Sequence, residues 1–293
     1  MPSAMILQKR TILPLLLSVF LFPGCLQTIA IQSMSGIMNY GFEAFNEESD
    51  IQIARESLGG NLKLLEALIK ADPENSKLLL FASQGYSSYA LAFAEDDSAE
   101  RARVFYLRGR DFGLRILNQN AKFKAALDKD DSTFRAAVWS FSKEDVPAIF
   151  WTAFGWGSYI NLTRTESAAL ADLARVNALM DFVHENNPTY YFGGADIFFG
   201  SIQGTMPPMM GGKPELSKSH FEKALAINGG KFLMTYVYYA KTYCVQTQNQ
   251  ELFGELLKKV DDASIDVLPE ARLANAVAKR KAKFLQQTTN DLF

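Results

Sequence analysis

From about residue 50 to residue 286, apolar side chains return every three or four positions, and no run alternates apolar with polar long enough to build a strand. That recurrence is the buried stripe of a 3.6-residue helix, repeated segment after segment, and it restricts the chain to an all-α fold. Asp50 can cap a first segment in which Leu58, Leu62, Leu65 and Ile69 share a face. Gly59-Gly60 is expected to weaken or kink that helix, and Asp72-Pro73 to end it.

The next helix runs from about Glu74 to Glu95 and interleaves small residues with rings: Ala82, Gly85, Tyr86, Tyr89, Ala90, Phe93. Asp96-Asp97-Ser98 breaks the run and caps a third helix, from Ala99 to about Ala126. After the charged turn Asp128 to Ser132 comes a short helix, and then a longer one from Val146 to about Arg164 with Pro147 in its first turn. Trp151, Gly155, Ser158 and Tyr159 share one of its faces and Phe150, Phe154 and Gly157 the adjacent one, so this helix carries rings nearly all round and must be buried on most sides. It is either a central core helix or one on which Trp151 or Trp156 faces a ligand-sized cavity.

Asn186 to Ala226 is the densest stretch, with Tyr190, Tyr191, Phe192, a glycine pair, Phe198 and Phe199, a Met/Pro turn and a second glycine pair. It reads as helix, turn, helix. Asn187-Pro188 can start the first helix, and Gly204 to Pro214, with three prolines and three glycines, cannot continue it. A second helix resumes at Glu215 and closes at Asn228-Gly229-Gly230, whose glycines can take left-handed caps. Gly193-Gly194 beside the rings admits two compatible readings. Glycine lets two helices approach closely, or the rings and the turn holding Met206 and Met209 line an apolar pocket or docking surface.

Further helices cover Lys231 to Val245, Asn249 to Val260 and about Pro269 to Gln286. A tyrosine stands thirteen or fourteen residues after a turn in two places, Tyr86 after Pro73 and Tyr243 after Gly229-Gly230. Helix pairs of this kind suggest a tetratricopeptide-like helical-hairpin array. The register is lost through residues 98 to 185, so the array is expected to be degenerate and closed rather than a regular solenoid.

The front end is an address rather than fold. Lys9-Arg10 precedes the apolar run Thr11 to Phe22, too short for the ~20 residues of a membrane span. The run ends at Leu21-Phe22-Pro23-Gly24-Cys25, like a bacterial lipoprotein signal in which the cysteine is lipidated; Phe22 stands where an aliphatic residue is usual. The expected organisation is a signal peptide over 1–24, a tether lipid-anchored through Cys25 over 25–48, and an all-helical domain over 49–288. With Cys25 acylated, Cys244 is the one thiol left, and it reads as a buried, inert one.

Little else in the composition points to chemistry. A formal net charge of -2 and a pI near 5.8 leave no basic footprint for nucleic acid. The two histidines, His184 and His220, are not at metal-ligand spacing with each other or with a cysteine, and each reads as a helix-surface or interface residue. No nucleophile elbow or phosphate loop is present: Pro214 follows Lys213 where such a loop needs Ser or Thr. No catalytic residue, metal or cofactor is called for, and the chain is not expected to be an enzyme.

Gly85-Tyr86 with Phe93-Ala94-Glu95, Tyr106 to Asp111, Tyr190 to Gly194 with Phe199-Gly200-Ser201, Gly211 to Pro214, His220 to Ala224 and Leu273 to Ala278 stand in an order that resembles the T-component lipoproteins of TRAP transporters. The resemblance covers about residues 50 to 285. It implies a periplasmic, lipid-anchored, trimeric protein of tetratricopeptide-like fold with a pore or cleft in each protomer. Its implied partner is the P-component, the substrate-binding protein of a tripartite ATP-independent periplasmic uptake system, and its role is docking or ligand hand-over without a reaction. A hydrophobic or amphipathic ligand is inferred from the rings, the ligand expected of the uptake system being hydrophobic or an organic acid, with Trp151, Trp156, Tyr190, Tyr191, Phe192, Phe198, Met206 and Met209 as candidate contacts. The competing reading is a scaffold lipoprotein of envelope assembly that holds protein segments in a tetratricopeptide groove.

Overall fold

A computed structural model of the chain describes residues 37–293, which are helical throughout with no strand among them. The expected signal segment 1–24, Cys25 and the first part of the expected tether lie outside the described residues. The rest of that tether is helical over residues 37–46 (α1), and its Phe42 stacks on Phe81 with ring centroids 4.3 Å apart.

α2 (Ile51–Ala71) starts where Asp50 accepts from the backbone N–H groups of Gln52 and Ile53. It runs unbroken through Gly59-Gly60, because Ala54, Leu58, Leu62, Leu65 and Ile69 form one buried stripe that holds both sides of the glycine pair to the same wall. α3 (Ser76–Tyr89) is continued by a π turn, Ala90–Ala94. α4 (Ala99–Leu117) is capped by Ser98. The single helix expected from Ala99 to Ala126 is in fact two. The chain breaks after Leu117, and Asn120, accepting from the N–H groups of Lys122 and Phe123, opens α5 (Ala121–Ala126).

α6 (Asp131–Val138) leads to α7 (Val146–Leu162), entered through a capping box between Ser142 and Asp145. α8 (Ser167–Ala171) and α9 (Leu173–Asn186) follow, then α10 (Tyr190–Thr205) and α11 (Pro214–Asn228), which Gly229 ends at φ +61°. α12 (Met234–Tyr239) is again prolonged by a π turn, Ala240–Cys244. α13 (Gln250–Asp262) and α14 (Arg272–Gln287) complete the main body.

Close crossings set the spacing of the central layer. Gly109 and Gly113 of α4 and Gly155 of α7 lie where α3, α4 and α7 meet, and a Cβ on Gly155 would stand 2.9 Å from the Tyr106 carbonyl. Two large buried clusters result. One gathers α12–α14 with parts of α2–α4, and the other surrounds α7 and α9. Phe154, Tyr159 and Tyr191 touch both, so the boundary between the two cores is made of rings.

Candidate functional site

At that boundary the helices do not close. A cavity of about 1480 Å³, counting its open mouth, runs between α3, α7, α10, α12 and α14. Its long walls are parallel. Phe150 of α7 packs on Tyr191 and against Gly194 of α10, while further along Gly157 faces Phe198. Phe192 stacks on Phe232 just ahead of α12, and at the far end Gly204 abuts Thr242 and Tyr243. The three helices therefore run in the same direction along the cavity, and α10 alone spans roughly 16 Å of it from Gly194 to Thr205 at ~1.5 Å per residue.

The cavity consequently changes character from one end to the other. The ends of the helices that come first in sequence bring Phe150, Trp151, Tyr191, Phe232 and Met234; the later ends bring Asn161, Thr205, Thr242, Lys241 and, just past α7, Arg164. Both π turns touch this space, through Leu91 and Ala92 in one and Lys241 and Thr242 in the other. Each begins at the alanine of a Tyr-Ala pair, Tyr89-Ala90 and Tyr239-Ala240, and the wider turn brings into the wall residues that a continuous α-helix would carry past it.

The ring-rich end is held by an uncommon backbone. Tyr191 (φ 47°, ψ 52°), Phe192 (φ 62°, ψ 32°) and Gly193 (φ 82°, ψ 32°) are successive left-handed residues. The regular helix thus begins after them rather than at Asn187-Pro188. Two bulky residues remain in this conformation because their surroundings fix them. Tyr191 meets Trp151 edge-on at 4.8 Å, Phe192 stacks on Phe232 at 4.8 Å, and the Asn228 side-chain amide donates to the Phe192 carbonyl at 3.1 Å.

A carboxylate, Glu95, also lines the cavity. Glu95 accepts from the Tyr106 hydroxyl and faces Lys281 Nζ at 3.4 Å, and Lys281 is also 2.8 Å from Asp96. Burial, reinforced by Glu95, raises the Tyr106 and Tyr238 hydroxyls well above the ordinary tyrosine value of 10.0. Both stay protonated donors at neutral pH.

Of the residues expected at a site, Trp151, Tyr191 and Phe198 line the cavity. Tyr190 packs behind it on Phe150 at 5.2 Å, and Phe192 supports Phe232 from the side. Trp156 turns away: its indole N–H donates to Asp172 at 3.0 Å under the Arg110 guanidinium. Met206 lies beyond α10, and Met209 projects at the tip of the following turn, 93% exposed. The sequence had not marked Phe232, Tyr238, Arg164 or Lys241 as site residues; only their placement on converging helices brings them here.

The two histidines meet through a third residue. Asp196, 1% exposed, lies 2.7 Å from His220 Nδ1 and 3.5 Å from His184 Nδ1, tying α9, α10 and α11 together. Among the described residues no group of three His, Cys, Asp or Glu is arranged to hold a metal ion.

A sequence model described as TRAP transporter T-component matches residues 47–293, most of the chain. The chain belongs to that family. This T-component chain is also similar to an uncharacterized protein of Treponema pallidum (strain Nichols), 23% identical over 265 residues that make up 85% of this chain and 82% of the relative. Membership makes it a component associated with a TRAP transporter in the bacterial envelope, in a family of transport components rather than enzymes. Among the described residues no helix is long and apolar enough to cross a membrane.

Proposed function

We propose that this T-component is a periplasmic lipoprotein, anchored through Cys25, that docks the substrate-binding P-component and passes a hydrophobic or organic-acid ligand along the cavity between α7, α10 and α12. The observation that carries the reading is the cavity itself: a space in the middle of the fold, open at its mouth, with rings on its walls and Asn161, Arg164, Thr205, Lys241 and Thr242 toward one end. Such a space suits holding and releasing a ligand more than transforming it. In this reading the exposed Met209, at the tip of the turn after α10, belongs to the docking surface, since a flexible thioether adapts to a partner's contour.

The test is a pull-down from the organism's own periplasmic extract, with captured proteins and extracted small molecules both identified by mass spectrometry. Recovery of the P-component, weakened by Met209→Glu, is the expected result. That substitution adds a charge to an exposed side chain and leaves the core alone. Changing Tyr190, Tyr191 and Phe192 to alanine would be a poor probe, because Tyr191 touches both cores while Tyr190 and Phe192 each pack on one of them. Recovery of envelope-assembly factors in place of the P-component would contradict the proposal and favour the scaffold role.

A further inference from the structure

Two helices at the front of the fold carry a second face. α2 buries Ala54, Leu58, Leu62, Leu65 and Ile69, and on the opposite side of the helix stand Ile53, Ser57, Gly60, Leu64, Ala67 and Ala71. All six are exposed, Ile53 and Leu64 by more than half, and none is charged. A helix that meets only water sets charges on that face. Here Glu56, Lys63 and Lys70 are confined to one flank of it. α1 repeats the arrangement. Its Met38, Phe42 and Phe45 pack inward, while Ile37, Tyr40 and Ala44 form an outward arc, with Ile37 70% and Tyr40 72% exposed. Glu43, its one charged residue, stands outside the arc. The two helices are neighbours on α3: Phe42 and Leu62 both reach the place where a Cβ on Gly85 would stand, at 3.9 Å and 2.8 Å.

What covers these faces follows from where α1 comes from. With Cys25 lipidated as proposed above, Ile37 follows the anchor by twelve positions, a length of chain that reaches no more than roughly 40 Å in any conformation. A bilayer is therefore held beside α1 at all times, at an effective concentration that a free partner does not match. We propose that α1 and α2 seat the domain on the membrane surface, with Ile37, Tyr40, Ile53 and Leu64 entering the boundary between headgroups and acyl chains. Tyrosine and aliphatic side chains suit that boundary, and the small residues Gly60, Ala67 and Ala71 let the α2 backbone lie close to it. The attraction is apolar rather than electrostatic, since the face itself carries no cation to offer an anionic lipid. Seated this way, the body keeps a fixed attitude to the membrane, and the Phe45 end of α1, which lines the cavity, stays beside the lipid surface. The inference rests on the Cys25 anchor.

The full chain, acylated at Cys25 and inserted in phosphatidylcholine vesicles, tests it with an environment-sensitive fluorophore on Ala44→Cys or Ala67→Cys. Cys244 is buried and does not compete for the label. Lipids bearing a nitroxide near the head of the acyl chain are expected to quench both fluorophores, and aqueous iodide to leave both bright. Ile53→Glu with Leu64→Glu, two changes at exposed positions, should abolish the nitroxide quenching at residue 67 while the chain stays on the vesicles. Fluorophores open to iodide and untouched by nitroxide lipid would overturn the seat and leave the anchor standing. Shelter from iodide without nitroxide quenching would overturn it too, and assign the face to a second copy or another protein. Nitroxide quenching that survives the double substitution would overturn the placement on α2. A chain that carries no lipid at Cys25 and sediments apart from the vesicles would overturn the anchor and the seat together.

Discussion

At the residue scale, the backbone at Tyr191, Phe192 and Gly193 is where local preference and tertiary packing disagree most. Gly193 accepts φ +82° without penalty, and a Cβ there would also lie 3.3 Å from Ala224 Cα on α11. Gly193→Ala is therefore expected to lower stability by about 1–3 kcal/mol in urea denaturation; an unchanged midpoint would mean that the turn rearranges freely. Asp196 makes a second local test. Its carboxylate is buried and its close partner is His220 at 2.7 Å, so His220→Ala should cost about 1–3 kcal/mol. Adding Asp196→Asn should cost less than the two single changes summed, because the pair acts as a unit. Neither feature was legible in the sequence. Successive left-handed aromatic residues oppose their own preference, and His184, Asp196 and His220 meet only because three helices converge.

At the element scale, much was legible because local signals agreed with the fold. Asp50, Ser98 and the Ser142–Asp145 box cap helices where the sequence placed their starts, and Pro147 sits in the first turn of α7. The exceptions have physical causes. Gly59-Gly60 is a weak point by local preference, but a buried stripe on both sides keeps α2 continuous. The break between α4 and α5 falls inside a continuous apolar pattern, and Asn118 and Asn120 carry the turn and cap chemistry for it. Both π turns lie in segments whose composition does not distinguish them from α-helix. The crossing of α3, α4 and α7 gives the sharpest test at this scale. Gly155→Ala pushes a methyl group toward backbone rather than toward a yielding side chain, and should destabilise the chain by about 1–3 kcal/mol in the same assay.

The whole molecule responds to alkali through several buried groups at once. Burial, with Glu66 beside it, raises Tyr86 from 10.0 to about 12; burial raises Tyr190 to about 12, and lifts Cys244 from 9.0 to about 12. The unfolded chain gives up these protons at the ordinary values while the folded chain keeps them. Stability should thus be full below pH 9.0 and fall as pH rises through 10.0 toward 12. Urea midpoints measured across that range test it, and a flat profile would contradict the burial of these groups. The family resemblance further implies a trimer, so sedimentation equilibrium should return three times the 32.7 kDa of one chain, less the signal segment if it is removed. The cavity also belongs to this scale. Its rings on α7 and α10 could be suspected from their density, whereas the alignment of α7, α10 and α12 that sorts rings to one end and cations to the other is a product of the tertiary fold.

Sedimentation velocity of this chain mixed with the purified P-component of the same transporter tests the docking role most directly. A faster boundary containing both proteins, diminished by Met209→Glu, is the expected result. Two independent boundaries at concentrations up to roughly 100 μM, weaker than a transient transport contact requires, would contradict it.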